Sequence, residues 1–199
     1  LKMTNNNLSS YWKDIQVKKN TNKLCFIHTP KTGGSYIKHI LQDLKIKNMK
    51  HNQALPKEKN ITFTIIRNPV KRFESLINYR LGEKIPRRDW PKHLRHVYKN
   101  KSIGINQIVN KITKNQILNF TPYKTLSYWC KNVDICITID KLQELLNFFG
   151  YKIDLSLYEK KNVSKKKRGT FNINMIKKIS NIYRNDIILY NQKLGKKIN

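Results

Sequence analysis

Leu24-Cys25-Phe26-Ile27-His28-Thr29-Pro30-Lys31-Thr32-Gly33-Gly34-Ser35-Tyr36-Ile37 contains the change of period that decides the fold. Leu24 to Ile27 is a short unbroken apolar run, the pattern of a buried strand. Pro30 and the Gly33-Gly34 pair interrupt it, and beyond them Tyr36, Ile37, Ile40, Leu41 and Leu44 return at helical spacing. The segment therefore reads strand, glycine-rich loop, helix. A Gly-Gly pair in that setting lets backbone approach a ligand closely, and the N–H groups of the opening helical turn face an anion with the helix dipole behind them. Lys31 adds a mobile positive charge at the same place. The physics is that of a phosphate-binding loop, but the lysine precedes the glycines, so the Walker pattern is not met.

A second unit of the same kind follows. Ile61 to Ile66 is rich in β-branched residues and reads as a strand, Asn68-Pro69 ends it, and Arg72 to Tyr79 reads as a helix. Arg67 would leave the carboxyl end of its strand, where open α/β sheets place their ligands, and Ser75 lies two turns into the helix. Strand then helix, twice, predicts an α/β fold with a parallel sheet and covering helices. Val133 to Ile139 is a third strand and Lys141 to Phe149 a helix closed by Gly150. The middle of the chain, from Gly82 to Asn119, is helical in pattern, with breaks near Pro86, Pro91 and the Ser102–Gly104 turn. It carries a basic cluster at Arg87, Arg88, Lys92, Arg95 and His96. A basic loop, Lys160 to Gly169, precedes a final amphipathic helix from about Asn174 to Leu194, with Ile176, Ile179, Tyr183, Ile187 and Tyr190 on one face. Residues 1–22 read as a flexible polar arm with one short helical turn around Tyr11-Trp12, and 23–199 as a single domain, a length long enough to bury a substantial core.

The chain holds 41 Lys and Arg against 12 Asp and Glu, a net charge of +29. A field of that sign concentrates anionic ligands at the surface without choosing among nucleotide, nucleic acid, acidic glycan and anionic membrane. Cys25, Cys130 and Cys136 have neither zinc-site nor redox-motif spacing and read as buried thiols, although a Cys130–Cys136 disulfide is conceivable in an oxidising compartment. No cluster of His, Cys and carboxylates has metal-ligand spacing, so no metal is expected. No stretch reaches the ~20 apolar residues that span a bilayer, and the compartment stays open. The sequence begins at Leu1 rather than Met, which leaves room for an upstream signal or anchor.

At the two anion-suited segments the sequence resembles the carbohydrate sulfotransferases that use 3'-phosphoadenosine-5'-phosphosulfate, in particular the heparan-sulfate-type branch. There the first motif reads His-x-Pro-Lys-Thr-Gly-Gly-Thr and the second Arg-x-Pro-x-x-Arg-x-x-Ser; Ser35 replaces the commoner Thr and keeps the hydroxyl. The resemblance implies a P-loop-like three-layer fold with a central parallel sheet flanked by helices. It also implies transfer of a sulfuryl group to a hydroxyl acceptor, with 3'-phosphoadenosine-5'-phosphate as product. Lys31 would contact the 5'-phosphosulfate and stabilise charge on the departing phosphate, Thr32, Gly33, Gly34, Ser35 and Tyr36 would supply loop contacts, and Arg67 and Ser75 would grip the 3'-phosphate.

The resemblance continues more loosely to the C-terminus. Asp140-Lys141-Leu142 looks like the family's acid-x-Leu helix start, Asn162-Val163-Ser164 like its Asn-x-Ser loop, and Ile182 to Tyr190 like its closing helix. The family's basic loop closes over the 3'-phosphate, which makes Lys166, Lys167, Arg168 and Gly169 candidates. Asn162-Val163-Ser164 is also a glycosylation sequon.

Sulfuryl transfer to an alcohol needs a base within hydrogen-bond reach of the hydroxyl. The family places a catalytic histidine where His51 falls, between the first helix and the Arg67 strand; Glu74, Glu83 and Asp89 are the reserve bases that this sequence offers. His28 reads as structural, and His39, His93 and His96 as solvated. An acidic polysaccharide acceptor suits the basic Arg87–His96 segment and the overall charge. The alternatives are a basic nucleic-acid-binding module, with aromatics at Tyr11, Trp12, Trp90 and Tyr98 for base stacking, and a small-molecule kinase. The kinase would require a Walker loop that this chain lacks.

Overall fold

The structure, a computed structural model, describes residues 5–19, 23–49, 60–82, 104–119, 123–158 and 169–193. Four parallel strands form one sheet in the order β2-β1-β3-β4, comprising β1 (Leu24–Ile27), β2 (Lys47–Met49), β3 (Ile61–Ile66) and β4 (Ile135–Thr138). The registers align Cys25 with Lys47, Leu24 with Ile61 and Phe63 with Ile135. Helices flank the sheet, as alternating strand and helix patterns require. They are α1 (Asn5–Lys19), α2 (Gly34–Asp43), α3 (Pro69–Gly82), α4 (Ile105–Asn110), α5 (Lys114–Asn119), α6 (Leu126–Cys130), α7 (Leu142–Phe148), α8 (Ile173–Ile182) and α9 (Arg184–Lys193). Among the described residues no helix is long and apolar enough to cross a membrane.

β1 and β3 are buried along their whole length, but period-two alternation gives their two faces different work. Leu24, Phe26, Ile61, Phe63, Ile65, Ile135 and Ile137 pack with Trp12 of α1, Ile37, Ile40 and Leu41 of α2, and Leu142, Leu145 and Leu146 of α7. The other pleat carries Thr62 and Thr64. Thr62 bonds through its N–H (2.8 Å) and hydroxyl (2.7 Å) to the Asp134 carboxylate, and Thr64 donates to Ile27 O at 2.7 Å. A second core gathers Val70, Phe73, Leu76 and Ile77 of α3 with α4, α5, α8, Phe171, Tyr123 and Tyr183.

Local chemistry sets the element ends. Asn68 Oδ1 accepts the N–H groups of Val70 and Lys71, both at 3.1 Å, so Asn68-Pro69 is both the strand stop and the cap of α3. Asn172 caps α8 in the same way through Met175 N–H.

The sequence reading placed no element at α6 and no break between α4 and α5, and three further elements differ from it. The supposed flexible arm holds α1, and its Trp12 is fully buried with its ring 5.6 Å, edge-on, from Phe148. Tyr11 donates to Asp134 O at 2.9 Å and Lys19 pairs with the Asp134 carboxylate at 3.3 Å. A mostly polar helix is thus held by a narrow stripe at helical spacing, Leu8, Tyr11, Trp12 and Ile15, packed on the core around the buried indole, and by two polar ties. β2 went unread because Lys47-Asn48-Met49 has no apolar run, which suits a short charged strand at the end of a sheet. The closing helix is two helices, because Tyr183 leaves helical geometry (φ −103°, ψ 26°) and donates its buried hydroxyl to Tyr123 O.

Trp12→Ala is expected to cost about 3–5 kcal/mol of unfolding free energy in urea denaturation, because a buried indole is removed from the α1–α7 contact. A solvated arm would leave the midpoint unchanged.

Candidate functional site

Strand order reverses between β1 and β3: the chain passes from β1 to β2 on one side and from β3 to β4 on the other. Ligands of open α/β sheets bind in the crevice at such a switch, outside the carboxyl ends of the strands. Both sequence motifs lie there.

The loop after β1 is built from inside. Thr29 and Thr32 are buried; Thr29 Oγ1 lies 2.8 Å from Thr64 Oγ1 across the strand pair, and Thr32 donates its hydroxyl to Thr29 O at 2.8 Å. Thr32, expected to touch a ligand, therefore commits its hydroxyl to the loop and has its backbone left to offer. Gly33 has φ +101° and begins α2 as an N-cap without a side chain. Gly34 is required for a different reason. A Cβ there would lie 2.1 Å from His28 Nε2, so the half-buried imidazole occupies the space of the missing side chain. The structural reading of His28 fits this packing. Ser35 is exposed on the first turn of α2, whereas Tyr36 turns away and donates to Leu155 O at 3.2 Å. Burial raises the Tyr36 pKa.

The second motif is bonded to the first. Arg67 Nη1 donates to Lys31 O at 3.4 Å, and Arg72 Nε donates to Pro30 O at 3.1 Å. Arg72 is buried, and its Nη1 reaches Lys124 O at 3.0 Å. Desolvation lowers the pKa of both arginines; Glu74 and Tyr190 oppose that shift at Arg67, and Tyr183, Asp186 and Cys130 oppose it at Arg72. Guanidinium groups remain charged through such shifts. Arg67 itself is exposed and faces the switch point with its charge available.

One side of α3 completes the arrangement. Lys31 Nζ sits 4.0 Å from the centre of the Tyr79 ring, a cation–π contact that parks the ammonium one turn beyond the half-buried Ser75. Asn78, also about one turn from Ser75, donates to Gly169 O at 3.0 Å. Glu74 Oε2 accepts Phe171 N–H at 2.9 Å. The segment that ends the basic loop is thereby strapped to the turn of α3 that carries Ser75.

Glu74, a reserve base in the sequence reading, is buried and accepts a backbone N–H. Tyr79, Asn78 and Arg72 were not singled out as site residues, although Tyr79 follows Ser75 at helical i+4 spacing and Arg72 stands inside the motif. Tyr190 of α9 is a further neighbour. Burial is the main cause of its raised pKa; Asp140 adds to the rise, while Asn68 N–H and the Arg67 charge act against it.

His51, Glu83, Asp89, the basic residues Arg87, Arg88, Lys92, Arg95 and His96, and His93, Trp90 and Tyr98 lie outside the described residues, as do Lys166, Lys167, Arg168 and Asn162-Val163-Ser164. His39 is exposed on α2. Cys25 is buried, Cys130 and Cys136 are half-buried, and none of the three is in a disulfide. Among the described residues no group of three or more His, Cys, Asp or Glu is placed to hold a metal ion.

Gly34→Ala is expected to destabilise the chain by about 1–3 kcal/mol, since the new methyl overlaps the His28 ring. In a His28→Ala background most of that loss should disappear. Equal losses in the two backgrounds, read by urea denaturation, would assign the cost to the α2 backbone.

No family model matches the chain, and neither curated proteins nor solved structures yield a match.

Proposed function

We propose that the chain is a sulfotransferase with a P-loop-like three-layer fold, moving a sulfuryl group from 3'-phosphoadenosine-5'-phosphosulfate to a hydroxyl acceptor. The observation that carries this reading is the bonding of Arg67 and Arg72 to the carbonyls of Lys31 and Pro30, which makes two phosphate-suited strand ends one cradle. A single phosphate group would need only one of them. A nucleotide phosphorylated at both 5' and 3' positions uses both.

The residues present suit that donor. Gly33 and Gly34 keep side chains out of the first turn of α2, so backbone N–H groups can face a 5'-phosphate. Lys31 brings a cation to the same loop, and its resting contact with Tyr79 is weak enough to exchange for a phosphate oxygen. Arg67, with Ser75 on the helix behind it, supplies a planar fork for the 3'-phosphate. The end of the basic loop, fixed at Gly169 to Asn78, returns beside Ser75. The donor brings the activated sulfuryl group. The chain's part is to orient it, to stabilise charge on the departing phosphate through Lys31 and the loop N–H groups, and to take up the acceptor's proton at a base, for which His51 is the candidate. An already acidic polysaccharide suits the net charge of +29 as acceptor.

The desulfated product, 3'-phosphoadenosine-5'-phosphate, should stabilise the protein by about 2.7 kcal/mol at a hundredfold excess over Kd, seen as a rise in Tm. Oligonucleotides that raise Tm where this nucleotide does not would overturn the reading in favour of a nucleic-acid-binding module. His51→Ala should abolish turnover and keep nucleotide binding. Glu74→Gln, which still offers an oxygen to Phe171 N–H, should keep both.

A further inference from the structure

Lys31 has φ +65°, the left-handed region, which a residue with a Cβ adopts only when its surroundings impose it. Three bonds hold the backbone around it. Thr32 Oγ1 ties back to Thr29 O at 2.8 Å, Arg72 Nε holds the carbonyl of Pro30 at 3.1 Å, and Arg67 Nη1 reaches Lys31 O at 3.4 Å. The two arginines differ in kind. Arg67 is exposed and its bond is long, so a ligand can take it. Arg72 is 2% exposed, its second arm is fixed on Lys124 O at 3.0 Å, and Asp186 of α9 lies near enough to offset its charge.

We propose that Arg72 is the positioning residue of the phosphate loop: through the Pro30 carbonyl its buried guanidinium holds Lys31 in the left-handed conformation that serves the 5' end of the nucleotide, while Arg67 serves the 3' end. The inference rests on the donor reading above and divides the labour of its second motif. A lysine at position 72 would keep the charge but present one compact head, unable to hold Pro30 O and Lys124 O together in the geometry of a planar fork.

The test is calorimetric titration with adenosine 3'-phosphate, adenosine 5'-phosphate and 3'-phosphoadenosine-5'-phosphate. In the unaltered chain the doubly phosphorylated nucleotide should bind more tightly than adenosine 3'-phosphate. In Arg72→Lys that gain should shrink by about tenfold or more, with adenosine 3'-phosphate affinity held within about twofold. Arg67→Ala should show the reverse, losing the gain conferred by the 3'-phosphate. In a Lys31→Ala background the 5' gain is already lost, so Arg72→Lys should add little to it. An Arg72→Lys chain that keeps the 5' gain, loses affinity for all three nucleotides alike, or adds its full effect to Lys31→Ala would overturn the inference. If Arg72→Lys does not fold, Arg72→Gln combined with Asp186→Asn removes both buried charges together and is read by the same titrations. An unaltered chain that binds none of the three nucleotides overturns the donor reading and this inference with it.

Discussion

Parallel pairing of β1 with β3 is the constraint on which the rest depends. Neighbouring strands lie about 4.8 Å apart, and parallel strands deliver their carboxyl ends to the same edge of the sheet. Leu24 pairs with Ile61 and Phe26 with Phe63, so the loop that begins at His28 and the turn at Arg67 emerge side by side. Antiparallel pairing would put them at opposite edges. Because β2 lies on the far side of β1, no strand intervenes between the two exits, and the helices that follow, α2 and α3, both begin at this edge. Two helix N-termini and their flanking cations then share one crevice.

The threonine face of the sheet is the less obvious half of that constraint. Thr64 is completely buried, and its hydroxyl bonds to Ile27 O and lies 2.8 Å from the Thr29 hydroxyl. Buried hydroxyls cost free energy unless bonded, so these bonds fix where the chain leaves β1 more firmly than aliphatic contacts could. Thr32 extends the chain of hydroxyls back to Thr29 O. The loop is therefore shaped from beneath by hydroxyls and braced from the side by two arginines, and glycines are needed only at Gly33, where φ is positive, and Gly34, where His28 fills the space.

The fold class was legible because its evidence is periodic: β1, β3, β4, α2, α3 and α7 announce themselves through apolar spacing, and Asn68-Pro69 and Gly150 mark boundaries that the structure keeps. Lys47–Met49 was not legible, since two exposed polar residues and one buried methionine are too short a stretch to carry a period. The docking of α1 was missed for another reason: its stripe of Leu8, Tyr11, Trp12 and Ile15 is at helical spacing but narrow among Asn and Lys, and Trp12 finds its partner in the distant Phe148. In the candidate site, Lys31, Gly33, Gly34 and Arg67 stand where their spacing put them. The readings of Glu74, Thr32 and Tyr36 shifted because sequence shows which residue types are near an edge but not which backbone groups need partners. Phe171 N–H, Thr29 O and Leu155 O took those side chains for reasons that no local pattern contains.

Arg72 shows the same limit most sharply. In sequence it is one basic residue among 41; its place inside the second motif marks it as part of that segment, but nothing there says that it is buried while Lys71 beside it is exposed. In three dimensions it is buried among carbonyls and a carboxylate. A buried cation is tolerated only where its donors are satisfied and a countercharge is near. Pro30 O, Lys124 O and Asp186 meet those conditions, and Asp186 in turn accepts Leu126 N–H at 2.6 Å. Burial is the main cause of the raised Asp186 pKa, with Arg72 among the groups acting against it, so the two charges are each more tolerable for the presence of the other. The consequence is that one guanidinium on α3 bonds the phosphate loop and the segment before α6, with the Asp186 charge of α9 acting on it. Pro30 is bonded by a side chain whose charge Asp186, more than a hundred positions further on, helps to offset, so the surroundings of the phosphate loop depend on how the C-terminal helices pack.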